Sequence, residues 1–263
     1  MSDSFIESGL YEPDWPAPAH IKAVITTRHG GLSEPPYESN NLGLHVGDAE
    51  DAVMQNRKLL AEAIGKHLHF QWLTQVHGNT VLTLDKALVD EGAKADVLYT
   101  RQKNMACGVL TADCLSVFFC DENGEEIAVA HAGWRGLATG VLERTIATFA
   151  AEPNTLMAYL GPVIGPCHFE VGDEVRQAFL DLDLPEINNQ HSILFHEDEN
   201  GQNESSRHKW MADLYAIAKI ILASRGLTKI YGEPICTYCE FDNYYSFRRD
   251  GETGRFASVI WKE

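Results

Sequence analysis

The sequence predicts one domain of mixed α and β structure, α+β in class, spanning residues 1–263. Three observations predict it. Strand-like and helix-like runs are interleaved along the whole chain, as a mixed core requires. Hydrophobic residues make up 44% and charged residues 22%, close to the globular average, so neither a disordered nor a fibrous chain is expected. No internal repeat, low-complexity tract or Pro/Ser-rich linker divides the 263 residues, although the length would also suit two small domains at roughly 150 residues each.

The elements follow in order. Residues 21–27 read as a strand, and the Gly/Pro/Asn-rich stretch 29–48 as a loop long enough to be functional. Residues 51–64 read as a helix: Val53, Leu59, Leu60, Ala63 and Ile64 fall mainly on one face, acidic residues open it, and Gly65 is placed for a left-handed cap. Short β-rich runs follow at 70–76, 80–84, 107–111, 115–120 and 127–131. A helix is expected over 137–150, a buried strand over 156–160 and a short helix over 173–180. Residues 181–206 turn polar and irregular and are expected to form a mobile surface loop. Residues 209–225 read as an amphipathic helix, with Met211, Leu214, Ile217, Ala218, Ile221 and Leu222 at helical spacing and Gly226 beyond its end. Strands over 230–233 and 257–261 close the chain.

Charge narrows the partners. There are 21 Lys and Arg against 38 Asp and Glu, a formal net charge of −17, so bulk electrostatics repel nucleic acid and anionic membrane. A bound phosphate must then be held by a local basic cluster. Asp3, Glu7, Glu12 and Asp14 replace the basic and apolar regions of a secretory signal, and no apolar run reaches the roughly 18 residues of a membrane helix. A reducing cytoplasm is the expected location, where the six cysteines mean packing, metal binding or chemistry. No coiled-coil pattern or long apolar surface stripe is present, and a monomer is expected.

Three segments put a metal-capable side chain at a predicted strand end beside small residues: Gln75-Val-His-Gly-Asn79, Thr111-Ala-Asp-Cys114 and Ala130-His-Ala-Gly-Trp-Arg-Gly136. Two His and one Cys would make an open zinc site, leaving a fourth position for water or substrate. Their separations of 37 and 17 residues match no compact ligand pattern, so three ordinary strand-edge residues are the alternative. A helix starting after Gly136 would turn its free N–H groups towards His131, an anion site reinforced by Arg135. Arg28, Arg57, Arg248, Arg249 and Arg255 are the other available phosphate holders, each with a surface salt bridge as its alternative role. Cys236-Thr-Tyr-Cys239 has C-x-x-C spacing, but no second such pair and no H-x-E accompany it, so it reads as packed thiols. Cys107 and Cys120 lie on apolar runs and read as core, and Cys167 and Glu170 lie in or beside a Gly/Pro turn.

Thr26-Thr-Arg-His-Gly-Gly31, Asn41-Leu-Gly43, Gln75-Val-His-Gly78, Ala112-Asp-Cys114, His131-Ala-Gly-Trp-Arg-Gly136, the 161–172 segment and Phe247-Arg-Arg-Asp-Gly251 together resemble the YfiH family. That family has been called laccase-domain or multicopper polyphenol oxidase proteins, and later purine nucleoside phosphorylases. The resemblance runs from about residue 21 to residue 261. It implies mixed sheets packed together and flanked by helices, and a zinc site on His77, Cys114 and His131. It also implies phosphate-dependent cleavage of adenosine, inosine, guanosine and methylthioadenosine, with deamination of adenosine to inosine.

Deamination needs hydroxide near neutral pH, which an open zinc site supplies by lowering the pKa of bound water towards about 7. Asp113, next to a ligand, is the nominated acid or base, with orientation of the loop as its alternative role. Phosphorolysis needs phosphate held against the anomeric carbon. Arg28, Arg57 or Arg248 could hold it, and Asn41 or Gln75 could contact ribose or base. Three competing readings use the same side chains. One is a copper-dependent polyphenol oxidase, for which the 11 scattered His are poorly arranged. Another is a cysteine hydrolase or amidase acting on peptidoglycan precursors, with Cys114 as nucleophile and His131 as base. The third is a binding protein whose structural zinc is closed by His29, Cys167 or His168.

Overall fold

The computed structural model describes residues 9–84, 92–197 and 209–263. A five-stranded sheet has the order β1-β2-β14-β6-β3, built from β1 (Leu10–Tyr11), β2 (Ile21–Thr26), β3 (His69–Gln71), β6 (Met105–Thr111) and β14 (Phe256–Lys262). A six-stranded sheet has the order β13-β9-β7-β8-β5-β4, from β4 (Val81–Leu84), β5 (Val97–Thr100), β7 (Leu115–Asp121), β8 (Ile127–Ala132), β9 (Leu156–Leu160) and β13 (Lys229–Tyr231). Both are mixed: β3 runs parallel to β6, β4 to β5 and β13 to β9, while the other pairings in these sheets are antiparallel.

Alternation along the strands sorts side chains into layers. Ile25, Cys107, Val109, Phe256 and Ile260 of the first sheet pack against Phe118, Cys120, Ile127 and Val129 of the second, forming a core between the sheets. Ser116 and Ser258 hydrogen-bond across it at 2.7 Å. The outer face of the first sheet, with Val24, Leu110 and Val259, packs against Leu60 of helix α1 (Glu50–Ile64). The outer face of the second, with Leu115, Val117, Phe119 and Ala128, is covered by three helices: α2 (Trp134–Ala138), α3 (Val141–Thr148) and α7 (Leu214–Ser224). A small third sheet, β10-β12-β11, combines β10 (Glu170–Gly172), β11 (Phe195–Glu197) and β12 (Lys209–Ala212). Helices α4 (Asp173–Leu180), α5 (Pro185–Asn189) and α6 (His191–Leu194) pack beside it. Helix α8 (Phe247–Asp250) precedes the last strand. Among the described residues, no helix is long and apolar enough to cross a membrane.

Several expectations are corrected. The strand expected over 70–76 stops at Gln71; beyond it the Gln75 side chain takes the place of a strand, its Oε1 accepting from Leu110 N–H and its Nε2 donating to Leu110 C=O, both at 2.8 Å. The helix expected over 137–150 begins at Trp134 and breaks at Gly140, whose φ of +87° is left-handed. Residues 209–212 are strand β12 rather than helix, and α7 starts only after Asp213, which caps it by accepting from Ala216 N–H at 2.9 Å. Gly65 follows α1 with φ 143° and ψ 111°, outside the left-handed helical region. The 181–206 loop contains α5, α6 and β11 up to residue 197; its remainder, like residues 1–8, lies outside the described residues. Strand β5 was not anticipated, because its four wholly buried residues carry no alternation.

Candidate active site

β6 and β7 belong to different sheets, so residues 112–114 carry the chain from one layer to the other. The segment between β3 and β4 makes a second crossing, and His77 lies on it. His131 is the penultimate residue of β8, on the face that Ile127 and Val129 turn to the inter-sheet core. These placements bring His77, Cys114 and His131 together, with their donor atoms all within 4.8 Å of one another. The two imidazoles meet edge to face at 4.8 Å. His77 is exposed, Cys114 half-buried and His131 buried.

Asp96, fully buried just before β5, organises two of the three. One of its oxygens accepts from His77 N–H at 2.8 Å and the other from Gly78 N–H at 2.7 Å. His131 Nδ1 donates to the Asp96 carboxylate at 2.8 Å, and His131 N–H donates to Asp96 C=O at 2.7 Å. A carboxylate can only accept, so His131 keeps its proton on Nδ1 and presents Nε2 to the cluster. Burial opposes ionisation of Asp96, but the His131 hydrogen bond and the Gly78 N–H outweigh it and hold the carboxyl below its ordinary range. Burial likewise opposes the Cys114 thiolate; His131 and then His77 overcome this and draw the thiol down to about 6. Burial disfavours the His131 cation, yet Cys114 and Asp96 push its pKa up to about 9.

The backbone is unusual on both crossings. His77 has φ +59° and Asp113 φ +92°, a region non-glycine residues seldom occupy. Asp113 is pinned: Thr237 Oγ1 donates to its Oδ1 and Arg248 N–H to its Oδ2, each at 2.7 Å. A Cβ on Gly133 would stand 2.8 Å from Cys114 Sγ and 3.2 Å from His77 Cδ2, so the glycine of His-Ala-Gly-Trp makes room for the cluster.

A cavity of about 260 Å3 is lined by Leu44, His45, Arg57, Trp72, Gln75 and Leu110, among others. Arg57 lies over the Trp72 ring at 4.7 Å and donates Nε to Leu42 C=O at 3.0 Å. Burial lowers the His45 pKa, and Arg255, Arg57, His131 and His77 lower it further, so the cavity wall stands within electrostatic reach of the cluster.

The remaining nominated residues are engaged elsewhere. Arg28 donates Nε and Nη2 to Glu38 C=O and Nη1 to Phe241 C=O. Asn41 is buried, accepting from Gly43 and Arg255 N–H and donating to Gly43 C=O and Asp48. Arg135 is exposed over the Trp134 ring at 4.4 Å, within a helix of only five residues that starts at Trp134 rather than after Gly136. The Arg248 side chain donates to Glu170 C=O at 2.8 Å. His168 stacks on Tyr238 at 3.9 Å and, like His29 and Cys167, is not in the cluster. Cys107 and Cys120 are fully buried as expected, their thiols pushed up to about 12 by burial. Cys239, read as packed, is exposed, while Cys236 is half-buried with its Sγ accepting from Gly165 N–H at 3.2 Å. Sequence reasoning missed Asp96 and His45; a lone Asp before an apolar run and a lone His in a loop carry no spacing signal.

The family model described as multi-copper polyphenol oxidoreductase laccase matches residues 22–263. The chain is 45% identical over 254 residues to the purine nucleoside phosphorylase YfiH of Escherichia coli, covering 97% of this chain and 99% of that protein. It is 43% identical over 251 residues to a purine nucleoside phosphorylase of Pseudomonas aeruginosa, covering 95% and 96%. A crystal structure of a Neisseria meningitidis protein superposes with a TM-score of 0.85 at 43% identity, covering 97% of this chain and 99% of that one. With the cluster formed by family motifs and the match running nearly end to end, the chain belongs to the YfiH family, that of the laccase-like polyphenol oxidoreductase domain.

Proposed function

We propose that the chain is a zinc-dependent purine nucleoside phosphorylase. Its substrates are adenosine, inosine, guanosine and methylthioadenosine with inorganic phosphate, and it also deaminates adenosine. The observation that carries this reading is a His77, Cys114 and His131 donor cluster within electrostatic reach of a cavity walled by His45, Arg57 and Trp72. Relatives named purine nucleoside phosphorylase support it.

The donor set suits zinc: one thiolate and two imidazoles, with a fourth position open. Tetrahedral bonds of about 2.0–2.3 Å ask for donors ~3.3–3.6 Å apart, which small side-chain adjustments reach from a cluster already within 4.8 Å. Zinc held there would supply Lewis acidity and a bound water of lowered pKa.

The chain's own groups prepare the site. Asp96 fixes the His131 tautomer. Both Asp113 oxygens are taken by Thr237 and Arg248, so we assign Asp113 to positioning the Cys114 turn rather than to proton transfer. Arg57 offers its charge to phosphate, whose oxygen bonds to the anomeric carbon as the bond to the purine nitrogen breaks and the leaving purine takes up a proton. Gln75 builds the cavity wall, Arg28 and Asn41 shape the 28–48 loop, Arg248 secures the Asp113 turn, and Arg135 is left at the rim.

A second reading is favoured by one observation: Cys114, His131 and Asp96 also form a thiolate, imidazole and carboxylate series, the arrangement of a cysteine hydrolase or amidase. Copper would accept the same donors. Metal analysis and adenosine turnover, with and without phosphate, on wild type and Cys114→Ala separate these. Stoichiometric zinc and phosphate-dependent adenine release, both lost in the variant, are expected. A metal-free protein with alkylatable Cys114 and no purine product would favour the hydrolase, and copper with phenol oxidation the oxidase.

A further inference from the structure

The Cys236-Thr-Tyr-Cys239 segment reaches the ligand cluster through its middle. Cys236 opens a single helical turn, its C=O accepting from Glu240 N–H at 2.9 Å. Residues three apart on such a turn share one side, with Cβ atoms about 5–6 Å apart, and the two cysteine side chains hydrogen-bond each other. Gly165 N–H also donates to Cys236 Sγ at 3.2 Å, and a Cβ on that glycine would stand 3.1 Å from the same sulfur. Cys239 is exposed and Cys236 half-buried, so the pair meets solvent. Thr237 between them is fully buried and donates to Asp113 Oδ1 at 2.7 Å, while Arg249 Nη1 donates to the Thr237 and Tyr238 carbonyls at 3.0 and 2.9 Å. With Arg248 N–H on Asp113 Oδ2, the turn, α8 and the residue before Cys114 form one hydrogen-bonded unit.

Among the described residues, three metal-capable donors gather closely only at His77, Cys114 and His131, which leaves Cys236 and Cys239 to react with each other. We propose that these two thiols close a reversible disulfide by exchange with a low-molecular-weight disulfide such as that of glutathione, and that closure loosens the Cys114 turn through Thr237. Cys239, on giving its proton to water, attacks one sulfur of the small disulfide, whose S–S bond breaks as the first thiolate leaves. Cys236, likewise deprotonated, attacks Cys239 Sγ of the mixed disulfide and expels the second. The protein pair gives up two electrons, the small disulfide gains them, and the two leaving thiolates take up the two protons. A disulfide wants Cβ atoms about 3.5–4.5 Å apart, so closure tightens the turn by about 1 Å and draws Thr237 away from Asp113.

The full chain is equilibrated with reduced and oxidised glutathione at graded ratios, quenched and digested with trypsin. Residues 230–248 form one tryptic peptide that holds Cys236 and Cys239 and no other cysteine, while Cys167 falls in 145–176. Peptide 230–248 is expected to become lighter by two hydrogens in oxidising buffer and to return on reduction. The coupling is read as the rate of Cys114 alkylation by iodoacetamide after chelation, which is independent of any metal the cluster holds and of the phosphorylase reading. That rate is expected to be severalfold faster in the oxidised wild type than in the reduced one. Cys239→Ser should keep the slow rate in both buffers, and Thr237→Val should show the fast rate in both. A 230–248 peptide that stays a dithiol at every ratio, or that links to 145–176 instead, would overturn the pairing. Equal Cys114 alkylation in the two wild-type states, or a response that persists in Cys239→Ser, would overturn the coupling.

Discussion

Asp96 is the residue on which the candidate site turns. It buries a carboxylate at no exposure and recovers the desolvation cost through the Gly78 and His77 N–H groups and the His131 imidazole. Carboxylates behind metal-binding histidines raise ligand basicity and fix orientation, and their loss costs roughly 10- to 100-fold in metal affinity. Asp96→Asn is expected to lose zinc affinity in that range, as measured by competition with a coloured chelator; an unchanged affinity would show that His131 needs no partner. Gly133→Ala tests the space instead. Its Cβ would sit 2.8 Å from Cys114 Sγ, closer than such contacts allow, so zinc content should fall while cooperative unfolding persists.

At the scale of single elements, β6 shows how a strand accommodates its neighbours. Gly108 lies on the outer face, where a Cβ would come within 2.6 Å of the Trp72 ring. Overpacking of this kind costs about 1–3 kcal/mol, the loss expected for Gly108→Ala in urea denaturation; a neutral result would mean that Trp72 moves freely. A second element-level device joins β5, β8 and the end of α3. Buried Glu126 accepts from Tyr99 OH and from the N–H groups of Ala150 and Ala151 at 3.0 and 2.9 Å. Burial works against its ionisation, but the Tyr99 hydrogen bond and the two N–H groups hold its pKa below the usual value. With the folded pKa depressed, this stabilisation is fully present above the unfolded value of about 4.3 and is lost as pH falls through the folded one. The stability gap between wild type and Glu126→Gln should therefore be constant near neutrality and shrink in acid. A gap that widens on acidification would contradict this assignment.

For the whole molecule, the ligand cluster sits where the two large sheets exchange strands, so a bound ion would tie one layer to the other. Ligand that binds only the folded state stabilises it by about 2.7 kcal/mol at 100 times its Kd. Zinc at that excess should raise the unfolding free energy of the wild type by about this amount, an excess of chelator should remove the gain, and Cys114→Ala should show none. A wild type indifferent to zinc would leave the metal without a structural consequence.

The sequence by itself determined the mixed α and β class, the helix on α1, the buried strand on β9 and the three motif segments carrying His77, Cys114 and His131. Each is written in local periodicity or in a short run of small residues beside a donor. It misread elements where a side chain or a cap overrides periodicity: Gln75 replacing a strand, Asp213 capping a helix that starts five residues late, and Gly140 cutting one in two. Only the tertiary structure decided that β3 and β4, like β6 and β7, lie in different sheets. That crossing converts separations of 37 and 17 residues into donor atoms within 4.8 Å. It also brings Asp96 behind His131, and brings Arg57 and Arg255 to the loop at Leu42 and Gly43. Burial and charge act through space, and a linear spacing rule has no access to either until the chain has folded.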